Sequence, residues 1–397
     1  MIDPLGLVYV VGILWGYALF LFWERAPERR GVFLLLFSPL VLLLVLRYSG
    51  TDTYGIYEAV LWHTLRTGLP TGFEVGFDAL ARSLLHLTGS PVAAVRGVGV
   101  LFGLLLVLFL WRSDSLERRF FFLLFLPAFF FPYGMNALRA GLVLALLLLA
   151  WQEMRRGRGL SALGLAALAP LFHTSALVAV GLLAVGELWR WGKKELLALG
   201  ALALLGLSLL ALEGDRLVGK VHLYLGPGGG EGGPSVLTPE APGASRTLMV
   251  GLVLGGLLLT PIPLPKRLLA VALLGGATLL FQGAAYVAGF AGVRLLELAA
   301  FATPLVALRL TEGLGRRGLR WLTLALVLAG VLGGAFNQKN FWEDRGGRQT
   351  GTLTPFIPYR TVWSHDPCPP SSYHRPREEG ICPTPVLDPS LLGRYPW

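Results

Sequence analysis

Two cysteines in 397 residues, scarce lysine and a charged fraction of only 15% set the first limits on this chain. Two thiols allow one disulfide at most. So small a charged fraction excludes the surface of an ordinary soluble globule. No glycine-rich phosphate cradle of the P-loop kind occurs, no His/Cys/Asp/Glu cluster has metal-ligand spacing, and no Ser-His-Asp order stands out. The sequence therefore offers no ATP site and calls for no metal or cofactor. No short internal repeat is evident.

What the chain has is hydrocarbon. It is 54% hydrophobic with a mean hydropathy of +0.63, and apolar runs of about 17–25 residues recur, the length a helix needs to cross a bilayer. About twelve crossings are expected, near 5–23, 31–48, 92–111, 120–133, 137–152, 159–172, 174–190, 195–212, 247–264, 267–290, 293–309 and 319–336. The expected fold class is all-α: a polytopic transmembrane helical bundle over 1–336, followed by an extracytoplasmic Pro-rich tail over 337–397. The first run, Leu5 to Trp23, lacks a basic leader and a small-residue cleavage site, so it reads as a retained anchor.

A net charge of +10 suggests nucleic acid, but the positions of the basic residues argue against it. They gather in the turns after every second crossing: Arg25, Arg29 and Arg30; Arg112, Arg118 and Arg119; Arg155, Arg156 and Arg158; Arg190, Lys193 and Lys194; Lys266 and Arg267; Arg309, Arg316, Arg317 and Arg320. These are more than half of the 34 basic residues, and by the positive-inside rule those turns are cytoplasmic and both termini lie outside. The other face carries a long loop at 49–91, with two helix-like amphipathic segments expected to lie on the surface. It also carries a Gly/Pro-rich loop at 213–246 and the tail. Cys368 and Cys382 both fall in the tail, where oxidising conditions permit a disulfide; the alternative is two free thiols.

Polar groups inside the apolar runs are costly and point to function. Asn136 and Arg139 interrupt FFFPYGMNALRAGLVLALLLLA, and His173, Thr174 and Ser175 interrupt ALAPLFHTSALVAVGLL. The runs Phe120–Pro132 and Leu160–Phe172 are each about thirteen residues, or roughly 20 Å of helix, too short to cross the hydrocarbon. They are expected to stop early and floor an outward-open cavity faced by Arg139 and His173. Arg139, near a helix start, suits a phosphate or pyrophosphate, because its planar fork adds to the helix N-terminal amides. The competing reading pairs it with a carboxylate on another helix. His173 is either an interhelical hydrogen bond or functional. Arg294 is a second such arginine, with Glu297 three residues on and placed to pair with it. Asp52, followed by Tyr54 and Tyr57, suits general-base work on a sugar hydroxyl with rings stacking on sugar faces; otherwise Thr51 and Asp52 cap a helix. Glu74 and Asp78, four apart, read as a solvated face.

Gly50-Thr51-Asp52 with its following tyrosines, Glu74-Val75-Gly76-Phe77, Asn136-Ala137-Leu138-Arg139-Ala140-Gly141-Leu142 and Leu171-Phe172-His173-Thr174-Ser175-Ala176 occur in this order. Together they resemble the EpsG family of exopolysaccharide polymerases, related to Wzy-type O-antigen polymerases, over about residues 47–180. Ala140 stands where the family has Gln, and LLELAAF follows Arg294 where the family is Tyr-rich. The resemblance implies a GT-C-like multi-pass glycosyltransferase of the bacterial cytoplasmic membrane, which joins undecaprenyl-pyrophosphate-linked repeat units at the outer face. It implies Asp52, Arg139 and His173 as catalytic, and Tyr54, Tyr57, Glu74, Asn136, Ser175 and Arg294 at the substrate. The implied partners are lipid-linked glycans, membrane lipids and a chain-length regulator or export machinery, with no nucleic acid. An O-antigen ligase, a single-addition transferase using a polyprenyl-phosphate sugar and a lipid-linked sugar flippase stay open as alternatives.

Overall fold

The computed structural model describes residues 7–25, 29–50, 52–187, 243–288, 290–345, 356–357 and 359. The expected crossing at 195–212, the Gly/Pro-rich loop up to residue 242, Thr51 and both cysteines lie outside the described residues. So do Arg190, Lys193 and Lys194.

The described residues form helices and no strand. In chain order these are α1 (Leu7–Arg25), α2 (Arg30–Val45), α3 (Ala59–Thr67, led in by a π-turn at Thr53–Glu58), α4 (Val75–Thr88) and α5 (Pro91–Trp111). A composite central helix follows, made of α6 (Ser115–Phe120), a π-helical stretch (Phe121–Phe130) and α7 (Phe131–Met135). Next are α8 (Leu138–Arg155), α9 (Gly159–Leu168, with a 3₁₀ turn at Ala169–Leu171) and α10 (Ala176–Ala184, with a 3₁₀ turn at Val185–Glu187). The last are α11 (Ala244–Leu258), α12 (Leu264–Ala288), α13 (Phe290–Leu310) and α14 (Arg316–Glu343). Each expected crossing among the described residues coincides with helix. Four are long and apolar enough to cross a membrane: Leu7–Arg25, Pro91–Trp111, Leu264–Tyr286 and Arg317–Glu343.

The composite helix corrects one expectation. The run at 120–133 is not a short crossing, because helix begins five residues earlier and continues to Met135. Asp114 caps it through a capping box with Glu117, which admits the charged residues 117–119 into its first turn. All ten residues from Phe121 to Phe130 are buried, as expected of a segment that is apolar on every side. Phe33 and Phe37 of α2, Phe109 of α5 and Phe301 of α13 meet its rings. It is the core of the bundle.

Two prolines shape this core helix, since neither has an N–H to give its preceding turn. Pro127 and the Leu123 carbonyl both face α14. There α14 approaches so closely at Gly330 that a Cβ would sit 1.8 Å from that oxygen, so only glycine fits. Pro132 likewise withholds one N–H from the turn before it, and there the buried Asn337 of α14 donates its Nδ2 to the carbonyls of Ala128 and Pro127 at 2.9 and 3.4 Å.

The expectation of a short crossing does hold for α9, which with its 3₁₀ turn ends at Leu171, and α10 is similarly brief. α4 rests on the tip of this pair, Gly76 against Leu171. At the far ends of the helices the basic turns are paired rather than bare: Arg155 meets Asp114, Glu117 and Glu312, and Arg309 meets Glu187 and Glu312. At the opposite end α14 runs on past residue 336. Phe356 stacks on its Phe341 at 3.9 Å, Tyr9 donates to the Phe356 carbonyl at 2.7 Å, and Tyr359 donates to Leu43 O at 2.8 Å. This part of the expected tail is docked on α1, α2 and α14.

Candidate functional site

The site forms where the segment after α2 meets the break between α7 and α8. Gly50 has φ +112, and a Cβ there would lie 2.4 Å from the Met135 carbonyl. Glycine is what lets the chain turn against the end of the core helix. Buried Arg47 fixes this turn, donating Nη1 to Ser49 O at 3.0 Å and to Thr53 Oγ1 at 2.6 Å. Thr53 Oγ1 in turn lies 3.2 Å from Met135 O. One residue on, Asn136 Oδ1 accepts the backbone N–H of Asp52 at 2.6 Å. Asp52, half-buried, is thus tied to the junction from which α8 departs.

Arg139 lies in the first turn of α8, as expected. It is ion-paired, as the competing reading expected: Nη1 lies 2.5 Å from Glu74 Oε2, and the guanidinium stands over the Phe73 ring at 4.3 Å. Glu74, the residue before α4, is 3% exposed and Arg139 22%. The solvated-face reading of Glu74 and Asp78 is therefore overturned. Glu74 turns inward to a cation, and Asp78 accepts from the N–H and the hydroxyl of Thr71, both at 2.6 Å. Tyr57 is buried between Phe73 and Phe77 and interacts electrostatically with Arg139.

Arg294 pairs with Glu297 at 2.7 Å, as the spacing suggested. The same carboxylate accepts from Tyr133 Oη at 2.6 Å, and Arg246 of α11 lies 3.8 Å from its other oxygen. Asp52 acts electrostatically on both Tyr57 and Arg294, so its charge is felt in the region of the two Arg–Glu pairs. A further buried pair, Glu58–Arg96 at 3.0 Å, lies behind the Asp52 segment.

His173 is placed differently. Its Nδ1 accepts from the Ser175 backbone N–H at 3.2 Å and meets Ser175 Oγ at 2.9 Å. This closes the turn between α9 and α10 and leaves the ring proton of the neutral form on Nε2. His173 and Ser175 thus serve first as the joint of that turn. The Tyr54 side chain lies outside the described residues. Among the described residues no group of three or more His, Cys, Asp or Glu is gathered as a metal site.

Sequence reasoning missed Arg246, Tyr133 and Asn337. Arg246 follows a Gly/Pro-rich stretch and reads as a loop residue, and Tyr133 reads as one more aromatic in an aromatic run. Only contacts between distant helices mark them.

Asp52, Asn136, Arg139, Tyr57, Glu74 and Arg294 come together from separate stretches of chain. What they can do follows from their chemistry: a half-buried carboxylate in a region that also holds two guanidiniums and a phenol can take a proton from a hydroxyl beside a bound anion. No curated protein matches the chain, and no solved structure matches it. The model described as the EpsG family matches residues 31–219, a span just under half of the chain that includes each motif from Gly50 to Ala176. Over that span the chain is similar to the EpsG family, in agreement with an exopolysaccharide polymerase of the membrane.

Proposed function

We propose that the protein is a membrane glycosyltransferase that polymerises glycan repeat units carried on undecaprenyl pyrophosphate, working at the outer face of the cytoplasmic membrane. The family match supports a membrane exopolysaccharide polymerase. The observation that supports the finer reading is the tie of Asp52 to Asn136 at the start of α8, the helix that carries the Arg139–Glu74 pair, with the Arg294–Glu297 pair on Tyr133 just before that break.

The step balances with these groups alone. An acceptor sugar hydroxyl attacks the anomeric carbon of the donor glycan, and the bond from that carbon to the pyrophosphate oxygen breaks. The bonding pair leaves with the diphosphate, and the hydroxyl proton passes to Asp52. Arg139 and Arg294 face the charge that grows on the leaving group, where fixed cations lower the barrier most. Glu74 occupies one of the five N–H donors of Arg139, so its fork keeps donors for a phosphate. Asn136 holds the base through its backbone. The activated bond is already in the substrate, so the reaction needs no nucleotide. The charge of the basic turns supports termini and a tail on the outer side.

The test is incubation of the purified chain in lipid nanodiscs with one defined undecaprenyl-pyrophosphate-linked repeat unit. A ladder of products supports the polymerase. A single added unit makes it a simple transferase or ligase, and no product with a verified substrate removes the reading.

A further inference from the structure

Glu297 poses an electrostatic problem for any anion bound beside Arg294. The pair sits at 2.7 Å and by itself sums to zero charge, while the Tyr133 hydroxyl at 2.6 Å adds a hydrogen bond and no charge. A diphosphate would find little net attraction there. Arg246 alters the sum, because its Nη2 lies 3.8 Å from the second oxygen of Glu297. Two arginines then share one carboxylate, so these three side chains carry one net positive charge, set against the charge of Asp52.

Arg246 is poorly placed to stay there unaided. It is 7% exposed and lies in the first turn of α11, where the helix dipole disfavours a cation. Asn337 holds it: Oδ1 accepts from Arg246 Nη2 at 3.2 Å. The other end of this amide is already committed, since Nδ2 donates to Ala128 O at 2.9 Å and Pro127 O at 3.4 Å, in the turn to which Pro132 supplies no N–H. With its N–H groups on carbonyls the amide cannot flip, and its oxygen must face the guanidinium. The core helix thereby fixes the orientation of Asn337, and Asn337 fixes Arg246.

We propose that Arg246 and Asn337 are positioning residues that hold an excess positive charge at the Arg294–Glu297 pair, making it a second anchor for the diphosphate beside Arg139. The inference rests on the reading of this end of the bundle as a diphosphate site.

The test uses the full chain in nanodiscs and inorganic pyrophosphate as the probe, with affinity measured by calorimetry and thermal unfolding recorded alongside. Wild type is expected to bind. Arg246→Gln, which removes the excess charge, should weaken binding by about ten- to thirtyfold, and Arg246→Lys should recover most of it. Asn337→Asp is nearly the same shape but sets a carboxylate against Arg246, and it should weaken binding by a similar factor. Should Arg246→Gln fail to fold, Arg246→Lys and Asn337→Asp carry the comparison. Wild-type affinity in Asn337→Asp overturns the inference and leaves the diphosphate reading standing. Loss of binding in Arg246→Lys and Asn337→Asp in step with lost thermal stability makes the two residues merely structural, and overturns it too. Absence of binding in the wild type removes both.

Discussion

Asn136 Oδ1 accepts the backbone N–H of Asp52 at 2.6 Å, across 84 residues of sequence. A side chain at the break between two buried helices thus sets the position of a carboxylate on a loop. Asn136→Leu should remove this acceptor and leave Asp52 present but misplaced. The expected result is a polymerisation rate down by about one to two orders of magnitude in a folded protein. Asp52→Asn, which removes the base itself, should cost about 10²–10⁴-fold. Rates on a lipid-linked repeat unit decide; wild-type turnover in Asp52→Asn would take the base assignment away.

The Arg139–Glu74 pair should reveal itself by asymmetry. Glu74→Ala leaves a largely buried guanidinium without its carboxylate, and Arg139→Ala does the reverse. Each should destabilise by about 3–5 kcal/mol, while the double variant should cost clearly less than their sum. Denaturation in detergent measures all three, and additive losses would mean the pair contributes no coupling. Arg139→Lys should fold well yet lose activity, since an ammonium cannot present the two-pronged fork.

Gly330 is expected to tolerate no side chain. A Cβ there would stand 1.8 Å from Leu123 O, so Gly330→Ala must push α14 away from the core helix, at a cost of about 1–3 kcal/mol or more. At Gly251, in α11, a Cβ would meet nothing within 4 Å. Gly251→Ala should be neutral or slightly stabilising, by up to about 1 kcal/mol. Melting temperatures of the two variants provide the comparison; equal shifts would contradict the close approach.

Acid should loosen the turn between α5 and the core helix. Burial alone would raise the carboxyl pKa of Asp114, but its hydrogen bonds and attraction to Arg155 outweigh this and hold it below the ordinary value. A carboxylate depressed on folding stabilises at pH above its unfolded pKa, about 3.9. That contribution fades as the pH falls through the lower folded value. Asp114→Asn should therefore melt lower than wild type at pH 6, and the gap should narrow below about pH 4. A gap that does not change with pH would assign the effect to capping alone.

Much of this protein was legible in its sequence. Apolar runs separated by arginine-bearing turns specify buried helices whatever their partners, because a helix pairs its own backbone and hydrocarbon must leave water. The spacing of Arg294 and Glu297 pointed to their pairing, since three residues bring two side chains to one face of a helix. Asn136 and Arg139 were conspicuous because polar groups in hydrocarbon are costly. The extent of the core helix was less legible: Glu117, Arg118 and Arg119 read as part of a turn between crossings, and only their pairing with Asp114, Gln152, Glu24 and Arg155 makes them part of the helix.

The inward turn of Glu74, the sharing of Glu297 by two arginines and the capture of core-helix carbonyls by Asn337 were decided by tertiary structure alone. Each depends on which helix lies beside which, and a single chain's local pattern carries no term for the distance between residues 74 and 139, or 246 and 337. The sequence determined where helices form and which polar groups they bury; packing decided which of those groups meet, and with what net charge.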